Sequence, residues 1–179
     1  MEPKDLFIDA LGRIQQTLER VLDGLTMEQL LHRPTTESNS IAWLAWHMTR
    51  VQDHHISDLA ERSQAWVDEG WHSKFNMPPN PLNTGTGHTP DQVAALRPPD
   101  RETLLGYHNA VFTRSKLYLE TITPADLDVI LNEPQYQPLP TVGVRLVSVV
   151  NDGGQHSGQA AYLKGVIQGK GWAPNRWDV

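Results

Sequence analysis

Apolar residues recur along this chain in alternating steps of three and four, the spacing of one helix face, in four long segments. Phe7, Leu11, Ile14, Leu18, Val21 and Leu25 make the first seam, and Thr26-Met27-Glu28-Gln29 behind it reads as a capping box that predicts a short turn of helix. The second long segment runs from about Ser40 to Ser63, with Leu44, His47, Met48, Val51, His54 or His55, and Leu59 along its stripe. The third runs from about Asp100 to Ile122 through Leu105, His108, Phe112, Ser115, Leu119 and Ile122. The fourth follows Thr141, a predicted N-cap, and steps through Val142, Leu146, Val149, Gly153, His156, Ala160, Leu163 and Ile167 before Gly169 and Gly171 end it.

The segments between these helices differ in character. Asn76 to Pro90 is rich in Pro, Asn, Gly and Thr, and a structureless stretch of this length inside a compact domain is more often functional or mobile. Thr89-Pro90-Asp91-Gln92 supplies a helix start, Thr123-Pro124 caps another short helix, and Asn132 to Pro140 is a Pro-punctuated connector. No segment sustains period-two alternation, so strands are expected to be few or absent. The pattern predicts a single all-α domain over residues 1–179, an antiparallel four-helix bundle with one long crossover loop. In such bundles sites are built from side chains on facing helices.

Composition narrows the chemistry. The 179 residues carry 15 Lys+Arg against 21 Asp+Glu, a formal charge of −6, which lacks the basic footprint of a nucleic-acid binder or of a polybasic membrane-surface protein. No apolar run reaches the ~18 residues of a transmembrane helix. The opening Met-Glu-Pro-Lys-Asp has no signal-peptide character, and a cytoplasmic location is expected. There is no cysteine, which removes disulfides, cysteine-ligated zinc, iron–sulfur clusters and cysteine nucleophiles. Eight histidines remain as the unusual feature.

Three of them occupy seam positions where an apolar residue is expected: His47, His108 and His156. Each must find hydrogen-bond partners or coordinate something, since an unpaired buried polar group costs about 1–3 kcal/mol. Asp152 precedes His156 by four residues and therefore shares its helix face. With His47 from the second helix, Asp152 and His156 would form a two-imidazole, one-carboxylate set with coordination positions left open, the arrangement of a catalytic metal site. Zn²⁺, Ni²⁺ and Fe²⁺ all suit it. The same spacing also fits an Asp–His hydrogen-bonded pair in the core without a metal. Gly153, Gly154 and Gly158 around the pair suggest close packing against a neighbouring helix or a ligand. His54 and His55, two turns beyond His47, are expected at a polar helix end with Asp53 and Asp58. His32, His72 and His88 are expected at the surface, and Trp43 and Trp46 as packing residues. Trp66, Trp71, Trp172 and Trp177 would cover bundle ends or a dimer surface.

Two stretches carry a family resemblance. Asn39-Ser40-Ile41-Ala42-Trp43-Leu44-Ala45-Trp46-His47-Met48-Thr49-Arg50 resembles the second helix of the DinB/YfiT-like superfamily, and Asn151-Asp152-Gly153-Gly154-Gln155-His156-Ser157-Gly158-Gln159 resembles its fourth-helix motif H-x-x-x-H-R-G-Q. The resemblance implies a four-helix bundle that binds one divalent metal ion through three histidines, one from helix two and two from helix four. His47 and His156 match; the third position is Asp152 here, and Ser157 stands where the family has Arg. Family members include S-transferases that use mycothiol or bacillithiol and the mycothiol-dependent maleylpyruvate isomerase; others are classed as metal-dependent hydrolases on fold analogy. The implied reading is an enzyme that uses a low-molecular-weight thiol as cosubstrate against a small-molecule electrophile, with His54, His55 or His108 as candidate bases or positioning groups. Hydrolysis with metal-activated water and non-catalytic binding of a metal or small ligand are the alternatives. Homodimerisation is expected from the family's habit and the Trp-bearing surface.

Overall fold

The computed structural model describes residues 2–173. Trp177 lies outside them. Four long helices carry the fold: α1 (Pro3–Leu22), α3 (Ile41–Leu59), α7 (Arg101–Leu119) and α8 (Val142–Gln168). Between them lie the short helices α2 (Met27–Leu31), α4 (Ala65–Asp68), α5 (Trp71–Lys74) and α6 (Pro90–Ala95), with 3-10 turns at Pro124–Asp128 and Lys170–Trp172. The described residues hold no strand, only one isolated bridge between Ile130 and Thr141. None of their helices is long and apolar enough to cross a membrane.

Local chemistry sets the helix starts. Ser40, Thr89, Asp100 and Thr141 each accept a backbone N–H three residues on, as does Thr26, whose capping box closes with Gln29. α3 gives way four residues before Ser63, where Glu61 turns to φ 49°, and α8 ends at Gly169 with φ 82°.

α1 and α3 sit diagonally, each packed against both α7 and α8. The contacts fix the directions. Lys164 of α8 donates to the Arg20 and Asp23 carbonyls at the far end of α1, while Gly153 meets Ile14. Thr49 meets His108, and further along Arg62 reaches the Arg114 carbonyl, so α3 and α7 run the same way. The segment that joins α3 to α7 must therefore travel back along the bundle, and it is the long crossover.

The α1 seam is buried as its spacing predicts, from Leu11 to Leu25. Of the expected third stripe, His108, Ser115, Leu119 and Ile122 are buried, but in the first half of α7 the apolar positions are rotated by one: Leu104, Tyr107 and Val111 are buried, whereas Leu105 and Phe112 are only partly so. Adjacent apolar pairs at 104–105 and 111–112 allow either phase, and packing against two helices selects this one. Buried residues surround α3 on nearly all sides from Ile41 to Asp53, because the crossover covers the face that a two-neighbour helix would leave to solvent. Of the three glycines near Asp152, only Gly153 is a packing residue, since a Cβ there would lie 3.1 Å from Ile14. Gly154 and Gly158 face open space, and nothing in the structure explains them.

His108 lies wholly inside the α3–α7 interface. Thr49 Oγ1 donates to the Ala45 carbonyl at 2.8 Å and accepts from His108 Nδ1 at 2.9 Å; His108 Nε2 is buried without a partner. Burial pushes this imidazole down to about 4. Between about pH 6.5 and 4 the unfolded chain binds a proton here that the folded one refuses, so stability present above 6.5 is lost as pH falls through that window. The full loss is about 3 kcal/mol for this group. Urea denaturation from pH 7 to 4.5 should show a flatter decline in His108→Gln than in the wild type; parallel curves would refute the assignment.

Candidate metal centre

The α3–α8 interface brings His47, Asp152 and His156 together, with one potential ligand atom from each lying within 4.8 Å of the others. Asp152 Oδ1 is 3.8 Å from His47 Nε2 and 3.5 Å from His156 Nε2. The two imidazoles meet edge-on, their centroids 4.8 Å apart. His47 is buried, while Asp152 and His156 are partly exposed, so the cluster opens to solvent on its α8 side.

The outer nitrogens are both committed. His47 Nδ1 lies 2.6 Å from the Thr84 carbonyl, which can only accept, so this nitrogen carries the proton. His156 Nδ1 likewise donates to Gln159 Oε1 at 2.8 Å. Each neutral ring therefore turns an Nε2 lone pair toward Asp152, whose Oδ2 is buried and has no hydrogen-bond partner. Three acceptors facing one point need a positive charge between them. Burial is the main influence on His47 and pushes its pKa down, whereas Asp152 beside His156 draws that pKa up against its own desolvation. A proton on His156 meets part of the need. A divalent cation meets all of it, and the fixed Nδ1–H bonds are the outer-layer contacts that orient ligating histidines. The donor set thus fits a metal ion.

Trp43 is buried as a packing residue should be, yet its ring also forms a wall of the cluster, stacked on His47 at 4.6 Å and 14°. His88, expected at the surface, is partly buried and stacked on Trp46 at 5.7 Å; it accepts from Trp43 Nε1 at 3.2 Å and donates to Asn83 Oδ1 at 2.9 Å. The Asn76–Pro90 crossover segment is thus folded over α3. At its closest approach stands Gly85, φ 93°, where a Cβ would lie 2.7 Å from Trp46 and 3.1 Å from His47 Nδ1. Gly85→Ala should cost about 1–3 kcal/mol and loosen the loop, which urea denaturation measures; an unchanged midpoint would contradict the contact.

Asp53, expected at a solvated helix end, is buried instead, because the crossover needs its carboxylate. It accepts the Ala65 and Trp66 amides at 3.0 and 2.9 Å, capping α4, and the Tyr107 hydroxyl at 2.8 Å. Arg50, fully buried one turn earlier, lies 3.5 Å from Asp53 and 4.6 Å from the Trp66 ring. Its guanidinium donates to Gln64 Oε1 at 2.8 Å, the Tyr107 hydroxyl at 3.0 Å, and the carbonyls of Pro81 and Asn83 at 3.0 and 3.1 Å. Burial and the Asp53 charge drive the Tyr107 pKa well up. Sequence reasoning missed this network, although Arg50 and Asp53 at i,i+3 inside a buried stripe were a visible sign.

The other candidates lie apart from the cluster. His54 accepts from Gln64 Nε2 at 3.0 Å, and His55 packs edge-on against it, pushed down to about 4 by burial and then by Arg145. His108 is enclosed with Thr49, as described above. Trp66 and Trp71 pack around Tyr107 at the crossover, and Trp172 lies beside Gly165 and over Lys164.

Fold and cluster together define a class, an all-α four-helix bundle with a histidine–aspartate group of metal-binding geometry between two facing helices. The chain belongs to the DinB superfamily, whose family model matches residues 10–160. A conserved protein of Enterococcus faecalis has a solved structure that shares 30% identity with it, covers 95% of this chain and 99% of its own, and superposes with a TM-score of 0.87. No curated protein matches the chain.

Proposed function

We propose that this protein is a divalent-metal-dependent enzyme that activates a low-molecular-weight thiol for attack on a small electrophile. The observation that carries the metal reading is the donor arrangement: two Nε2 lone pairs beside Asp152 Oδ1, with Oδ2 of the same carboxylate buried and unpartnered. His47 and His156 would hold the ion through Nε2 and Asp152 through a carboxylate oxygen. Thr84 and Gln159 keep the two rings in the tautomer this requires. An ion bound there would lower the pKa of a thiol or water at an open position and so supply a nucleophile near neutral pH. The thiol assignment follows the family resemblance, and it suits a chain with no cysteine of its own.

Asp152 favours a second reading. The carboxylate leaves one positive charge where three histidines would leave two, and two-histidine, one-carboxylate sets serve catalytic zinc sites that activate water. Hydrolysis is therefore the competing reaction. Protein loaded with Zn²⁺, Ni²⁺ or Fe²⁺ should conjugate monobromobimane to mycothiol, bacillithiol or glutathione, and His156→Ala should not. Ester hydrolysis without transfer from any thiol would favour the second reading. Neither activity in metal-loaded protein would leave a binding protein.

A further inference from the structure

We propose that Arg50 is a positioning residue for the metal centre: by holding the 80–84 segment it fixes the Thr84 carbonyl, and through that carbonyl it sets the tautomer and orientation of His47. This rests on the metal reading above. Arg50 follows His47 by three residues on α3, so both side chains leave the helix on one side and reach the same stretch of crossover. The Pro81 and Asn83 carbonyls accept hydrogen bonds from Arg50, and the Thr84 carbonyl accepts the Nδ1–H of His47. Gln64 ties the two sides together, accepting from Arg50 and donating to the Pro81 carbonyl at 3.1 Å.

Packing holds this stretch at few points, chiefly Gly85 against Trp43 and Trp46 and His88 on Trp46. Of residues 76–90 only Gly85 is buried, and Leu82 is 75% exposed. Ahead of Gly85, residues 80–84 are held by hydrogen bonds, and Arg50 supplies three of them, to the Asn80, Pro81 and Asn83 carbonyls. Asp53, Tyr107 and the Trp66 ring hold the guanidinium in turn. If the segment is released, His47 loses the acceptor that keeps its proton on Nδ1. A proton on Nε2 then occupies the nitrogen that faces Asp152.

The test compares wild type, Arg50→Lys, Arg50→Met, Gln64→Leu and, as a core control, Leu104→Ala. In each, imidazole ¹⁵N shifts of the metal-free protein report the His47 tautomer, and chelator competition reports Zn²⁺ affinity. Wild type should hold the Nδ1–H form. Arg50→Met should show mixed tautomers and about tenfold weaker zinc binding, with smaller changes in Arg50→Lys and Gln64→Leu. Leu104→Ala should lower Tm and change neither readout. Arg50→Met with the wild-type tautomer and affinity would overturn the proposal, and Gln64→Leu decides the matter if Arg50→Met does not fold. A wild type that binds no zinc would refute the metal reading alone, with the tautomer still deciding the role of Arg50.

Discussion

Replacing Asp53 by alanine should lower the unfolding free energy by about 3–5 kcal/mol, the cost of breaking a buried ion pair from one side. The carboxylate offsets the charge of fully buried Arg50 and accepts hydrogen bonds from the two leading amides of α4 and from the Tyr107 hydroxyl. Its loss leaves all of these inside the protein without their partner. For a chain of this size the loss corresponds to a Tm lower by about 10 °C. Asp53→Asn should cost less, since the amide oxygen still accepts one of the α4 amides. Adding Arg50→Met to Asp53→Ala should recover part of the loss, because the stranded charge is removed with its partner. Urea denaturation of wild type, Asp53→Ala, Arg50→Met and the double variant closes the cycle. A drop below about 1 kcal/mol in Asp53→Ala would mean that Gln64, Tyr107 and the crossover carbonyls satisfy Arg50 by themselves.

The second large effect is that of the metal. Zn²⁺ at about a hundred times its Kd should stabilise wild-type protein by about 2.7 kcal/mol, a rise in Tm of roughly 5–10 °C. His47→Ala, His156→Ala and Asp152→Asn should each lose most of that rise and the stoichiometric metal with it. The pH dependence has a defined sign. Asp152 raises the His156 pKa in the metal-free protein, so protons compete with the ion from above the ordinary histidine range downward. The same raised pKa gives the metal-free protein a contribution to stability that is present below about pH 6.5 and lost as pH rises through the folded-state value. Metal-loaded and metal-free protein should therefore diverge in Tm as pH increases. Curves that run parallel, or a zinc effect retained in His156→Ala, would rule out the site.

What could be seen in the sequence follows from the range of the interactions involved. Helix starts at Thr26, Ser40, Thr89, Asp100 and Thr141 were visible because a cap and its target lie three residues apart. Asp152 and His156 were visible as a pair for the same reason, and the shared seam position of His47 and His156 joined them to helix two, with the family motif pointing the same way. In α7 the positions of His108, Ser115 and Leu119 were visible, but the choice within the adjacent pairs Leu104–Leu105 and Val111–Phe112 was not, since either rotation fits until α1 and α3 are in place. The roles of Arg50, Asp53 and His88 were hidden for a deeper reason: their partners come from the crossover, whose path no periodicity encodes. Thr84 could not have been found at all, because it acts through its backbone carbonyl, where side-chain identity leaves no mark.

His47 stands about a hundred residues before Asp152 and His156. During synthesis it leaves the ribosome long before α8, and a lone imidazole holds an ion only weakly. A metal ion bound at this site would thus be captured late in the life of the chain, after the helices have found one another. Such an ion would meet a finished site rather than act as a template for folding, and the bundle would reach its shape on its own packing and hydrogen bonds.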